Sequence, residues 1–185
     1  QESIVDIVSH RPEWGQVVAE LIAEWLLEPQ ISDDRRRLLR GALYRMRRES
    51  FCQRLMADAL SQADTPPDSK ILIFQVMADS GFRELPASWQ QQLLNSLRST
   101  DQHVSRQALV AIDSTRSGQF EEGLSAFVKD STRPVALRVP AIRTLTRTQP
   151  KLSKTAFQLV SGQFRPDAAF TTRAEAARAI SDSQL

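Results

Sequence analysis

Four stretches of this sequence superimpose when it is shifted by thirty-odd residues. Val104-Ser-Arg-Gln-Ala108-Leu-Val-Ala-Ile112 matches Leu137-Arg-Val-Pro-Ala141-Ile-Arg-Thr-Leu145, Thr172-Arg-Ala-Glu-Ala176-Ala-Arg-Ala-Ile180 and Ser69-Lys-Ile-Leu-Ile73-Phe-Gln-Val-Met77. The central small or apolar residue advances through 73, 108, 141 and 176, with Ala42 opening the series, at intervals of 31, 35, 33 and 35. Between these stretches lie partners of a second kind: Phe51/Leu55, Trp89/Leu93/Leu97, Phe120/Leu124/Val128 and Leu152/Ala156/Val160. Self-similarity at such a period marks stacked supersecondary units. Each unit reads as a helix pair that cannot bury its apolar stripe alone and must lean on its neighbours.

The local pattern agrees. Apolar residues recur at three- and four-residue steps throughout, as in Trp14, Val17, Val18, Leu21, Ile22, Trp25 and Leu26, or Leu38, Leu39, Ala42, Leu43 and Met46. That spacing puts one apolar face on helices over about 12–28 and about 33–48. Sustained period-two alternation and hairpin dipeptides are missing, so strands are not expected. Pro12, Pro67, Pro86 and Pro134 sit where first helical turns begin, where the missing N–H costs nothing. Asp33, Asp101 and Asp167 are placed to cap helices, and Gly81, Gly118 and Gly162 to end them. Pro140 falls inside a helix and should kink it. The reading is about ten helices in about five pairs, all-α, within one domain spanning 1–185.

Composition narrows the class further. Of the 185 residues, 41% are hydrophobic and 25% charged, as in ordinary globular chains. No stretch approaches the roughly 20 apolar residues that a membrane-spanning helix needs, so no membrane insertion is expected. The chain begins Gln1-Glu2-Ser3 and carries no signal-like segment, and it reads as a piece of a longer multidomain protein. One cysteine, Cys52, excludes an internal disulfide, and His10 and His103 have no second ligand at metal-binding spacing. The net charge of +2 conceals segregation: residues 1–34 carry eight acids and one base, residues 35–54 eight arginines and one acid, and residues 129–154 seven bases and one acid. Segregated charge steers polyanions or acidic partners, although solvated helix faces produce the same pattern.

The repeated stretches resemble HEAT repeats over nearly the whole chain, most clearly in the apolar–Arg–x–x–Ala pattern of Leu137-Arg138-Val139-Pro140-Ala141. HEAT units often place an Asp six residues before the basic position, forming a ladder between repeats. Asp64 precedes Lys70 and Asp167 precedes Arg173 by that distance, whereas Thr132 and Ser99 stand at the corresponding places before Arg138 and Ser105. The Trp/Leu/Gly/Tyr first helix and closing Pro of TPR repeats do not recur. The resemblance implies a right-handed α-α superhelix, a HEAT- or ARM-like solenoid. A narrower resemblance rests on Arg11-Pro-Glu-Trp-Gly15, Leu85-Pro-Ala-Ser-Trp89, Ser131-Thr-Arg-Pro-Val-Ala-Leu-Arg138 and Arg173-Ala-Glu-Ala-Ala-Arg178. These are similar to the HEAT region of large planctomycete-type secreted proteins, haem-binding and dehydrogenase-like, which join a propeller, that region and a cytochrome c domain with a CxxCH motif. This implies the middle module of an extracytoplasmic protein. Phe51-Cys52-Gln53-Arg54 lacks the second Cys and the His, so no covalent haem is expected on this chain.

Catalytic signatures are missing: no G-x-S-x-G elbow, H-E-x-x-H pair, G-x-G-x-x-G turn or Walker loop occurs. Adjacent acids such as Glu121–Glu122 point about 100° apart on a helix and do not face each other. No catalytic residue, metal ligand or cofactor site is assigned. Cys52 beside Phe51 reads as a buried, inert thiol, although Arg48 and Arg54 nearby are of the kind that activates one. Trp14, Trp25 and Trp89 lie on apolar stripes and read as core. Lys70, Arg138 and Arg173 share a repeat position that the resemblance explains structurally. Arg36, Arg40, Arg47, Arg106, Arg143 and Arg147 have no such explanation and form the candidate binding surface, since second helices of HEAT units line a concave face and arginine's planar fork suits carboxylate or phosphate. The expected function is a non-catalytic interaction or scaffold module, engaging a protein partner or neighbouring domains of its own chain. The alternative is a nucleic-acid-binding protein resembling the HEAT-like alkylpurine DNA glycosylases, which would need a tryptophan exposed beside an acid.

Overall fold

The computed structural model describes the backbone of residues 12–115 and 117–183, and side chains from Val18 onward. His10, the side chain of Trp14 and the apolar stretch Ile4–Val8 lie outside these. The described residues form ten α-helices and no strand.

The helix starts follow from local chemistry. α1 (Pro12–Leu27) and α4 (Pro67–Ala78) open on proline, whose fixed φ suits a first turn. α2 (Asp33–Met46) is capped by Ser32, whose side chain accepts from the Arg35 N–H at 3.3 Å. Asp33 was the expected cap and stands one residue inside, where with Asp34 it complements the positive helix end. α3 (Ser50–Ser61) follows. α5 (Ala87–Leu97) and α8 (Val135–Thr146) each begin just after a proline, Pro86 and Pro134. α6 (Gln102–Thr115) is capped by Asp101, whose Oδ1 accepts from His103 at 2.8 Å and Val104 at 3.3 Å. Gly118 lies beyond the end of α6 and opens a 3-10 turn, Gly118–Phe120, that leads into α7 (Glu121–Lys129). α9 (Lys154–Ser161) has Ser153 as its cap, and α10 (Phe170–Ser181) starts after Ala169. Asp167 therefore caps nothing and lies in the preceding turn, 3.9 Å from Arg165 Nε. Gly81, with φ of 70°, turns the chain after α4 in a conformation that side chains disfavour.

Packing is pairwise between successive helices, α3 with α4, α5 with α6, α7 with α8 and α9 with α10. Each even-numbered helix also packs on the next one, giving the row α2, α4, α6, α8, α10, with α1, α3 and α5 in contact behind it. Ile73, Ala108, Ala141 and Ala176 are all 0% exposed, so the central positions of the four matched stretches are core. In α2 the buried positions are Leu39, Leu43 and Met46, while Ala42 is half-buried and packs against this core.

The position after the first stripe residue has a distinct task. Arg138 is buried, and its Nε donates to the Val128 carbonyl at 2.8 Å, at the end of α7. Ser105, its counterpart in α6, donates through Oγ toward the Ser96, Leu97 and Ser99 carbonyls at 3.2–3.3 Å. Both occupy the carbonyls that a helix end leaves without partners. Among the described residues no hydrogen bond joins Asp64 to Lys70 or Asp167 to Arg173.

Candidate functional site

The six singled-out arginines fall into two groups. On α2, Arg36 Nη2 pairs with Asp68 Oδ2 of α4 at 2.9 Å and Arg40 Nη2 with Asp79 Oδ2 at 2.8 Å. Arg47 donates from Nε to the Ser80 carbonyl at 2.9 Å and from Nη1 to the Tyr44 carbonyl at 2.7 Å, and its guanidinium lies 4.1 Å from the Tyr44 ring centroid. All three fasten α2 to the helix that follows in the row, or to the turn after it. Their neighbours Arg35 and Arg37 pair with Glu28 and Asp34.

The second group lies where α6, α8 and α10 meet. Arg143 of α8 donates from Nη1 to Glu175 Oε2 of α10 at 2.9 Å, and its Nη2 lies 4.0 Å from Asp113 Oδ2 of α6. Arg147 Nη1 reaches the Asp113 side chain at 3.0 Å and its carbonyl at 3.2 Å. Thr144 Oγ1 donates to Asp113 Oδ1 at 3.1 Å, and Arg178 Nη1 lies 3.3 Å from Glu175 Oε1. Burial acts to lower the Arg143 pKa, but the hydrogen bond and charge of Glu175, with Asp113 and Asp182, outweigh it and raise the value, so the guanidinium is held charged. Its Nε is buried and has no acceptor.

Of these, Asp113, Arg143, Thr144 and Glu175 wall a cleft of about 160 Å³, with Leu109, Val110, Leu137 and Pro140 as its apolar side. Pro140 lies within α8 and has no N–H to offer the Ala136 carbonyl one turn earlier. Arg106, also on this wall, is exposed and meets no carboxylate or carbonyl oxygen among the described residues. The structure therefore brings Arg106 and Arg143 into one cleft with Arg147 bonded at its edge, and keeps Arg36, Arg40 and Arg47 apart on α2. Asp113 and Glu175 are the participants that the sequence did not single out. Their only signal is position: Asp113 lies five residues after Ala108 and Glu175 one before Ala176, on flanks of the same recurring stripe.

The other candidates resolve as structure. Trp89 is 0% exposed, donates from Nε1 to the Gln53 carbonyl at 2.9 Å and meets Phe82 edge-on at 5.7 Å. Trp25 is half-buried, with the Arg35 guanidinium 5.1 Å from its ring centroid. Cys52 is buried, its Sγ 3.8 Å from the Leu43 carbonyl, and burial followed by the Glu49 charge pushes its thiol up to about 12. His103 is exposed in the first turn of α6. Among the described residues no three His, Cys, Asp or Glu side chains are grouped to hold a metal, and no helix is long and apolar enough to cross a membrane. The one hydroxyl lining the α6–α8–α10 cleft, Thr144, donates to Asp113, a carboxylate that two arginines also engage. Set beside known proteins, the chain matches no family model and no curated protein.

Proposed function

We propose that the chain is a non-catalytic interaction module, a right-handed solenoid of about five HEAT-like helix pairs whose even-numbered helices offer one continuous recognition face. The observation that carries this reading is the row α2–α4–α6–α8–α10, in which each helix packs on the next of its kind. Helix pairs stacked along one axis expose extended faces suited to holding a partner. The row's surface is stitched by ion pairs, which supports a preformed face. By resemblance, its setting is the middle of a larger extracytoplasmic haem- or dehydrogenase-like protein. A CxxCH domain in the parent reading frame would support that setting, and its absence would remove it while sparing the module.

The nucleic-acid reading finds less support. Neither tryptophan offers a free ring for base stacking, since Trp89 is enclosed and Trp25 lies under Arg35, and of the exposed rings Tyr44, Phe157, Phe164 and Phe170 the one on α2, Tyr44, is faced by Arg47. Five of the six arginines are already engaged by protein oxygens. Two measurements separate the readings. Selection of displayed random peptides on the full chain should yield specific binders, and labelled single-stranded and duplex DNA should show no anisotropy change at about 50 mM salt, where phosphate contacts are strong. Tight DNA binding that falls steeply with salt, without peptide binders, would reverse the assignment.

A further inference from the structure

A second cleft, of about 240 Å³, opens between α7, α8 and α9. Buried side chains, Val128 and Ile142 among them, lie at its base, and Lys129 and Lys151 stand on its walls with no carboxylate in the lining. The stretch 129–154 holds seven bases and one acid, and the structure divides those bases into two kinds. Its four arginines are occupied: Arg133 by Asp130, Arg138 by the Val128 carbonyl, Arg143 by Glu175 and Arg147 by Asp113. Its three lysines are not. Among the described residues the ammonium groups of Lys129, Lys151 and Lys154 meet no acceptor, and Lys154 stands in the chain between two lining residues, Ser153 and Thr155. Hydroxyls complete the wall. Ser125 Oγ and Thr155 Oγ1 have no hydrogen-bond partner among the described residues, and Ser153 Oγ accepts from the Ala156 N–H at 3.2 Å but donates to nothing. Gln149 is turned to Glu121, which lies off the lining, and Thr146 to the Arg143 carbonyl. The side chains left with donors to spare are therefore lysines and hydroxyls.

We propose that this cleft binds a single phosphate group, free or carried on a short ester, at a site that the interaction-module reading does not require. A phosphate group brings about −1.5 to −2 charges and three acceptor oxygens, which two ammonium groups and the neighbouring hydroxyls can share. Lysine meets phosphate as a compact point charge with three rotatable donors, so it adapts to the ligand where the arginines of this stretch are fixed by their own partners. Size limits what the phosphate can carry: about 240 Å³ is below the roughly 300–1,000 Å³ of sites for drug-sized ligands and cofactors. No aromatic ring lines the cleft, so a nucleobase has nothing to stack on.

The test is amide NMR of the isotope-labelled full chain titrated with inorganic phosphate, with glycerol phosphate and, as a carboxylate of similar length, with glycerate. Phosphate should shift the amides of Ser125, Lys129, Lys151 and Thr155 together and saturate with a Kd of about 1 mM or tighter. Whichever of the two phosphates saturates at the lower concentration identifies the source, and glycerate should bind at least about tenfold more weakly. Lys129→Gln and Lys151→Gln should each weaken phosphate about threefold or more, the scale of one solvent-exposed ion contact, whereas Arg106→Gln, an equal loss of charge in the other cleft, should leave it unchanged. All three altered side chains are exposed, and circular dichroism checks that the helices persist. Shifts scattered over the surface, equal weakening in all three variants, or glycerate binding as tightly as phosphate would overturn the site. So would the lack of any shift at about 10 mM phosphate. None of these results touches the interaction module, which is decided by its own peptide selection.

Discussion

Two buried residues show how much a single side chain's surroundings decide. Cys52 has two nearby arginines in sequence, yet neither sets its chemistry; burial does, with the Glu49 charge adding to it. A thiol raised from 9.0 to about 12 stays protonated, and the thiolate is the reactive form. Iodoacetamide at pH 8 should leave the folded chain unlabelled and modify it promptly in guanidinium. The same shift has a stability consequence. Because the folded value lies above the unfolded one, this contribution is complete below about pH 9 and is lost as pH rises toward about 12, with a limiting slope of about 1.4 kcal/mol per pH unit. Urea midpoints measured across that window should fall more steeply for the native chain than for Cys52→Ala. Ser69 is the opposite case: it is 0% exposed and its Oγ has no hydrogen-bond partner. An unsatisfied buried hydroxyl costs about 1–3 kcal/mol, and alanine is the better helix former. Ser69→Ala should therefore raise the urea midpoint, whereas most substitutions at a fully buried site lower it. Burial at Cys52 was readable from the preference of free cysteine for the interior, but the orphaned hydroxyl at Ser69 was not, because a partner's absence depends on every helix packed around it.

At the scale of elements, exposure ranks the ion pairs along the row. Arg40 and Asp79 have side chains 53% and 52% exposed, while Arg143 and Glu175 are 22% and 24% exposed. Water screens the first pair, which should contribute well under about 1 kcal/mol. Removing Arg143 leaves two partly buried carboxylates, Glu175 held only by the exposed Arg178 and Asp113 by Arg147, and its loss should exceed about 1 kcal/mol. Arg40→Ala and Arg143→Ala, compared by urea unfolding, should differ in that order; equal effects would mean the α8–α10 pairing is as solvated as the α2–α4 one. Helix identity and approximate limits were legible because the 3.6-residue stripe, proline starts and caps all act within a few residues. The misplacements are equally local. Ser32 outcompeted Asp33 for the cap of α2, and Asp167 was spent in a turn that ends before α10 begins. Leu38, counted in the α2 stripe, is 65% exposed, since a row neighbour covers only part of an apolar face. The acids of the cleft escaped notice for a related reason: Arg143, Asp113 and Glu175 sit on three different helices, and nothing within any one of them shows that they meet.

For the molecule as a whole, the period of thirty-odd residues foretold which helices meet. From α3 onward the helices pair as α3–α4, α5–α6, α7–α8 and α9–α10, and even-numbered helices two apart touch, α2 with α4 through α8 with α10, whereas α1 packs on α3. Such contacts constrain neighbours along one direction and leave no reason for the ends to close on each other, which is where the solenoid reading makes its sharpest physical commitment. Packed helix axes lie about 8–10 Å apart. An extended row of five even-numbered helices would place the outermost axes up to about 40 Å apart, and a helix diameter of about 10 Å would extend this to about 50 Å. Helices of about twelve residues are only about 18 Å long, so on the solenoid reading the row is the longest axis. A closed globule of 185 residues would have a radius of gyration near 16 Å, which for a sphere means a diameter of about 41 Å. Small-angle X-ray scattering from the monomer should then give a skewed distance distribution extending to about 60 Å, the diagonal of the stack. A symmetric distribution ending near 40 Å would show that the row curls back on itself, and the open face on which docking depends would be lost with it.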